Sequence, residues 1–566
     1  MHNFRRRIEE KMNNYDDTIT SSSYREEQLK GKLQLRKNKI FSLLFSKRKE
    51  VFKNDNLDEI NDNIKIDINK LNCDEEIKMD VDNYLKNNFN ITKWFKYIFS
   101  SNKNDIQVSL FLLNRFIELQ LIEIKEENKR KLGRNNTELI NHLCYFLLND
   151  DMKIMYTATS CLTHLTFFPK PIENIIYSEV NLEKILKFFN IFSNRITYVG
   201  FEPLYLFINI STNNDIKIYL IKHSFLTYLY NFMNDIINNK NNILKEKIQL
   251  NAIKYSVTLL SILMNSIEID DNYINLFLPF LPICKLITSN YYVNMDFFMN
   301  EDNNLKSLIS LWKCYSKERY NNENIIKEIL KDNFLKVLII LYYKTKNNNS
   351  KIDIMVIFNQ FLTIGDEIDK ILINDGIIKF FNDEVDKYQY SNVQLLTKIA
   401  FSCSNLASGG IGQSEILLES GIIFKIMDIS SFYIDDNLDN EIKGLLINCI
   451  HFLVNCILPD NDKVKKNMLN YKKCIIINII CKALKRDLDP FNKRDLVARI
   501  IYAINELNVA SEELEEEMEK EYNMLLISNS LEELLNLYHD KKYLKDNCKS
   551  MIDDIIQFIK NLENNI

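Results

Sequence analysis

Two stretches of this chain are copies of one another. GDEIDKILINDGIIKFF begins at Gly365 and GIGQSEILLESGIIFKI begins at Gly410, 45 positions later. The offset pairs Gly365 with Gly410, Ile371 with Ile416 and Gly376 with Gly421. Each copy reads as a loop glycine, an apolar helix, a second glycine and another apolar helix opening on Ile-Ile. Glycine suits both loops, because a chain leaving a helix often passes through the left-handed region that only glycine enters without Cβ strain. Weaker copies are IIYSEVNLEKILKFF at 175–189, YLIKHSFLTYLYNFM at 219–233 and ILKDNFLKVLIIL at 329–341. Such a unit cannot bury its apolar faces alone, so units must stack on one another around one continuous core.

A period near 45 lies in the armadillo/HEAT range. Only ten Gly and seven Pro occur among 566 residues, which disfavours a sheet protein full of tight turns. The expected fold is all-α, an armadillo-repeat right-handed superhelical solenoid with an N-terminal basic helical arm. Such a solenoid offers a long concave groove, a binding surface before a catalytic one. Eleven Cys fall without a CxxC pair or a zinc-like Cys/His grouping and read as buried free thiols in a reducing compartment. No metal or cofactor site and no catalytic motif is expected: the six His are isolated, and the glycine strings follow helices rather than strands. No apolar run reaches the ~18 residues of a membrane span, and MHNFRRRIEE lacks the apolar core of a secretion signal.

Charge divides the chain into three zones. Residues 1–53 carry fourteen Lys/Arg against seven Asp/Glu, leaving the remainder at −12 (58 basic, 70 acidic). Within this arm LRKNKIFSLLFSKRKEVF (35–52) is a basic, helix-like stretch. Residues 54–90 hold ten acids and four lysines without an amphipathic period and read as a linker. Residues 91–566 carry the repeats, about ten of them at this period. An acidic body suits basic ligands and is a poor partner for nucleic acid.

These features together resemble the importin alpha family. YREEQLKGKLQLRKNKIFSLLFSKRKEVF (24–52) resembles the family's importin-beta-binding segment, WFKYIFSSNKNDIQVSLFLLNRFIEL (94–119) its first repeat, CSNLASGG (403–410) its repeat signature and residues 521–559 its tenth repeat. The resemblance implies a nuclear import adaptor, shuttling between cytoplasm and nucleus, with importin beta and the basic nuclear-localisation-signal peptides of cargo proteins as partners. It places importin beta on Arg25, Lys30, Lys32, Leu35, Arg36, Lys37 and Lys39. Lys47, Arg48 and Lys49 become an autoinhibitory cluster that imitates cargo. A 37-residue linker reaches ~30–35 Å as a coil, enough for roughly millimolar effective concentration at the groove. A nuclear export receptor is implied at the C-terminal repeats, near the acidic stretch SEELEEEMEKEY (511–522).

In that family the third helix of each repeat presents a Trp and, four residues on, an Asn to the groove. Residues four apart share a helix face. The indole stacks on cargo lysine stems, and the amide holds the peptide backbone. Here the columns read Ser160/His164, then Tyr205/Asn209, Lys254/Thr258, Ile309/Lys313, Phe361, Phe401/Asn405, His451/Asn455 and Asn505. Trp94 and Trp312 fall outside them. The candidate cargo residues are therefore Tyr205, Asn209, Phe401, Asn405, His451, Asn455 and Asn505. Loss of the columns in repeats 2 to 4 leaves an alternative open: an armadillo scaffold that keeps the importin-beta-binding arm without general cargo recognition.

Overall fold

The computed structural model describes residues 95–123, 137–166, 176–193, 202–238, 246–265, 275–293, 302–316, 323–388, 390–409, 411–435, 439–459, 461–485, 493–539 and 546–565. These are helices and turns throughout, with no strand among the described residues. The basic arm, the linker and Trp94 lie outside them. Two compact units result, Met1–Asn209 and Ile210–Ile566.

The first unit contains α1 (Phe95–Ile98), α2 (Lys103–Glu123), α3 (Thr137–Phe146), α4 (Met152–Leu165), α5 (Glu179–Ser193) and most of α6 (Glu202–Ile210). In α3, Leu139, Ile140, Leu143, Cys144 and Phe146 are buried, the apolar stripe of a helix covered on one side. α4 is different: every residue from Thr157 to Leu165 is buried, because α2 and α3 both pack on it. Asp151 caps α4 through the amides of Lys153 and Ile154 and also accepts from Gln107 Nε2 of α2 at 3.0 Å.

In the second unit the helices fall into sets of three. α7 (Asn214–Lys222), α8 (Phe225–Asn238) and α9 (Glu246–Met264) form one set. α10 (Phe280–Ile287) and α11 (Asp302–Tyr315) follow, joined in part by a π-helical turn at Thr288–Val293. Three full sets come next: α12 (Glu323–Leu330), α13 (Phe334–Lys344) and α14 (Asn348–Phe361); α15 (Asp366–Asn374), α16 (Ile377–Tyr388) and α17 (Val393–Ala407); α18 (Ile411–Glu419), α19 (Ile422–Tyr433) and α20 (Asn440–Ile457). The last are α21 (Asp462–Asn470), α22 (Ile475–Lys485) and α23 (Lys493–Ser511), then α24 (Glu516–His539) and α25 (Asp546–Asn565). A short first helix, a second helix and a long third helix recurring at this period make the armadillo arrangement expected from the sequence.

Each described corner between a first and a second helix in this unit contains at least one residue at positive φ. Gly376 and Gly421 adopt φ of +95° and +79° there, and the same corner holds Ser224, Asp332–Asn333 and Lys472–Cys474, all at positive φ. The paired glycines seen in the sequence are thus two occupants of a left-handed turn that other sets close with ordinary residues at a cost in strain. Asparagine, abundant in this chain, does capping work: Asn213, Asn347, Asn392 and Asn461 each accept a backbone amide at the start of a helix, where a short polar side chain satisfies an orphan donor.

The core is apolar and lies between successive third helices. From Leu445 to Ile457, α20 buries Leu445, Leu446, Cys449, Ile450, Phe452, Leu453, Val454, Cys456 and Ile457 with no exposed surface. Nine free cysteines, from Cys144 to Cys481, are also buried, and burial pushes the thiols of Cys144, Cys284 and Cys449 up to about 12. They act as small core hydrophobes.

The corner geometry sets an expectation for denaturant unfolding. Gly421→Ala places a Cβ in the left-handed region, where no atom crowds it within 4 Å, so backbone strain alone should cost about 1–2 kcal/mol. Ser224→Gly at an equivalent corner should stabilise by about 0.5–1 kcal/mol. Equal midpoints for both variants and the parent would refute the corner's role.

Candidate binding face on the third helices

The third helices of the second unit pack in chain order, α9 on α11, α11 on α14, α14 on α17, α17 on α20 and α20 on α23. Polar ties cross each step. Asn265 reaches Ser310 at 3.3 Å, and Lys313 pairs with Asp353. Ser316 bonds Gln360, and Ser402 bonds Asn359. Gln394 donates to Glu441 Oε1 at 2.8 Å. Asn455 Nδ2 donates to the Ser404 carbonyl at 2.9 Å and its hydroxyl at 3.0 Å, while Asn455 Oδ1 accepts from Arg499.

Beside these ties a stripe of each helix is left half-buried or exposed. On α17 it runs through Lys398, Phe401 and Asn405, on α20 through Lys443, Gly444, Ile447 and His451, and on α23 through Arg499, Tyr502, Asn505 and Val509. Spacings of three and four residues keep each set on one side of its helix. Phe401 is 40% exposed although it is a large apolar ring. The amide nitrogen of Asn405 is enclosed and donates to nothing. Gly444 faces open space: a Cβ there would meet no atom within 4 Å.

The sequence-derived residues separate on this geometry. Phe401 and Asn405 share the α17 stripe, and His451 and Asn505 are half-buried on the neighbouring ones. Asn455 is engaged instead in the tie between α17, α20 and α23. In the first unit Asn209 is likewise committed, its Nδ2 donating to the Thr163 carbonyl at 3.3 Å and to Thr166 Oγ1 at 3.0 Å, while Tyr205 is half-buried on the same helix. Ser160 and His164 are buried, with His164 Nδ1 2.9 Å from Asn114 Oδ1. Ile309 and Phe361 are core residues. Trp312 is core as well: it is 1% exposed and its Nε1 donates to Thr288 Oγ1 at 3.0 Å. Arg25, Lys30, Lys32, Leu35, Arg36, Lys37, Lys39, Lys47, Arg48 and Lys49 lie outside the described residues.

Lys398, Lys443, Gly444 and Ile447 were not among the sequence-derived candidates. The signal for them was present, since Lys398 precedes Phe401 by three residues and Ile447 precedes His451 by four. The charge on this face also differs from that of the acidic body as a whole. Asp353 is taken by Lys313 and Glu441 by Gln394, and Glu506 is taken by Lys465 at 2.6 Å.

One buried carboxyl lies elsewhere, on the first-helix row. Asp369 of α15 is 3% exposed, and burial, only partly opposed by its 3.1 Å bond from Gln413 Nε2, pushes it up to about 7. Its second oxygen and Gln413 Oε1 have no partners, an arrangement that a protonated carboxyl would relieve by donating to Gln413. Among the described residues no group of three or more His, Cys, Asp or Glu could hold a metal, and no helix is long and apolar enough to cross a membrane.

No family model matches this chain, and no curated protein matches it either. Solved structures do. An engineered protein from the Northeast Structural Genomics Consortium superposes with a TM-score of 0.58 over 83% of this chain and 98% of its own, at 11% identity. A chain from a study of the phosphorylation switch controlling the interaction between cadherin and beta-catenin gives a TM-score of 0.56 over 84% of each chain, at 10% identity. A designed armadillo repeat protein in complex with the peptide (KR)4 overlaps only 49% of this chain, at a TM-score of 0.36 and 13% identity, too slight to weigh here. The fold is the all-α armadillo-repeat solenoid.

Asn455→Ala should destabilise the chain by about 1–3 kcal/mol, because it strands Ser404 and Arg499; an unchanged unfolding midpoint would remove the tie from the core's support. Asp369 gives a pH signature. Its folded pKa is raised, so the native state holds the proton more tightly, and stability should fall as pH rises from about 4 to about 7. Asp369→Asn should therefore stabilise by about 1–3 kcal/mol at pH 8 and have little effect at pH 4. A pH-independent difference would contradict the assignment.

Proposed function

We propose that this chain is an armadillo-repeat adaptor that holds an extended polypeptide segment across α17, α20 and α23 and docks to importin beta through residues 24–49. The observation that carries the first half is the pair Phe401 and Asn405. A large ring stands in solvent beside an enclosed amide donor without a partner. A buried unmade hydrogen bond costs about 1–3 kcal/mol, and a turn of the Asn405 amide toward the open side would let its nitrogen donate to the carbonyl of an extended ligand while the ring packs on the ligand's side chains. The second half rests on the resemblance of residues 24–52 to the importin-beta-binding segment. Shuttling between cytoplasm and nucleus follows from that docking. A nuclear export receptor at the C-terminal repeats belongs to the same reading, with Glu516, Glu517 and Glu519 at the start of α24 as its acidic surface.

Two forms of this adaptor differ in their ligand. Asn209 and Asn455 spend their amides on neighbouring helices, and Trp312 spends its indole in the core. These commitments favour a scaffold for one dedicated partner. The other form is a general carrier of basic nuclear-localisation signals, kept quiet by Lys47, Arg48 and Lys49; the Phe401/Asn405 pair supports it.

Titration separates them. The full chain should capture importin beta, and joint replacement of Arg36, Lys37, Lys47, Arg48 and Lys49 by Ala should abolish capture; intact capture would remove the docking half. A dedicated scaffold should leave a labelled basic localisation peptide unbound by both proteins. A general carrier should bind it more tightly once the basic cluster is replaced, and Asn405→Ala should then weaken it by up to about 1.5 kcal/mol.

A further inference from the structure

The chemistry of the ligand can be read from the charges left over on this face, an inference that rests on the binding face proposed above. Among the described side chains of α14, α20 and α23, the carboxylates Asp353, Glu441 and Glu506 each already have a hydrogen-bonded or ionic partner, and Asp439 is held by the amides it caps at the start of α20. The cations of the face are differently placed. Lys398 and Lys443 are half-buried on adjacent helices, and neither meets a carboxylate among the described residues. Their stems pack along the helices while the ammonium heads carry no counter-charge from the protein, so an incoming anion gains their attraction. The basic ligands suited to an acidic body would instead meet two free ammonium groups and, among the described side chains, no carboxylate without a partner.

We infer that α17 and α20 bind an extended acidic segment of a partner protein, with carboxylates on Lys398 and Lys443 and an apolar side chain between Phe401 and Ile447. The spacing is compatible. Packed helices lie about 8–10 Å apart and an extended chain advances about 3.3 Å per residue, so every third ligand residue addresses the next helix. Two carboxylates separated by two residues would span the pair of lysines. Gly444 adds a second indication. A glycine inside a helix destabilises it relative to alanine, no neighbour requires its absence of a side chain, and it lies next to Lys443 on the open side. The gap admits the backbone of a ligand at close range.

The test is selection of random peptides displayed on phage against the full-length protein, followed by titration of a synthetic peptide of the enriched sequence. Enriched peptides should carry Asp or Glu at every third position. Joint Lys398→Glu and Lys443→Glu should weaken the synthetic peptide by about tenfold or more, the sum expected of two partly exposed ion pairs. Its counterpart with Lys in place of Glu should bind the doubly substituted protein better than the parent. Lys398→Gln with Lys443→Gln, a milder change, should give the same direction, and Gly444→Leu should weaken binding without lowering the unfolding midpoint. Enriched peptides that are lost on Phe401→Asp but are basic, or indifferent to the lysine exchanges, would overturn the acidic assignment while leaving the face intact. Peptides indifferent to Phe401→Asp and to both lysine exchanges would show that the face itself is not used, and the acidic assignment would fall with it.

Discussion

Everything in the second unit depends on the third helix being covered from two sides. α20 illustrates the constraint: from Leu445 to Ile457 its buried residues face α17 and α23 as well as its own second helix, α19. An isolated set of three helices would leave much of that surface in water, so the sets are stable only as a stack. The left-handed corners serve the same requirement. They turn the chain sharply between first and second helices, which lets each set present its third helix to the next. Where the corner is Gly376 or Gly421 the turn is easy; where it is Ser224, Asp332–Asn333 or Lys472–Cys474 the packing holds a strained backbone in place.

Stacking also fixes what polar side chains on a third helix can do. Those pointing toward a neighbouring third helix become ties, as Asn455 does with Ser404 and Arg499. Those pointing away become the stripe on which Phe401 and Asn405 lie. One turn of helix separates the two fates, so a residue type that binds ligand in one repeat can be structural in the next. The same division applies to charge. Carboxylates near the stripe are drawn into bonds with Lys313, Gln394 and Lys465, and the cations that remain set the sign of the face more than the net charge of the chain does.

The helical repeat, its length and its glycine corners were legible in the sequence. Apolar spacing and a recurrence of 45 residues leave few other ways to bury the chain. The capping role of asparagine could be suspected from its position ahead of apolar runs, as at Asn347 and Asn392. Phe401 and Asn405 were legible as a pair because four residues apart means one helix face. Lys398 and Ile447 carry the same spacing signal, three residues before Phe401 and four before His451.

What the sequence by itself determined is local: which segments are helices, where they turn and which side of each is apolar. The tertiary structure decided the rest, because partners 40 to 51 residues away settle whether a polar group is free. Asn455 and Asn405 look alike in sequence, each four residues after a ring. Asn455 meets a serine and an arginine from adjacent helices, while Asn405 meets no acceptor for its enclosed amide. Periodicity places a side chain on a face, and only the neighbour opposite determines whether that side chain supports the core or remains available to a ligand.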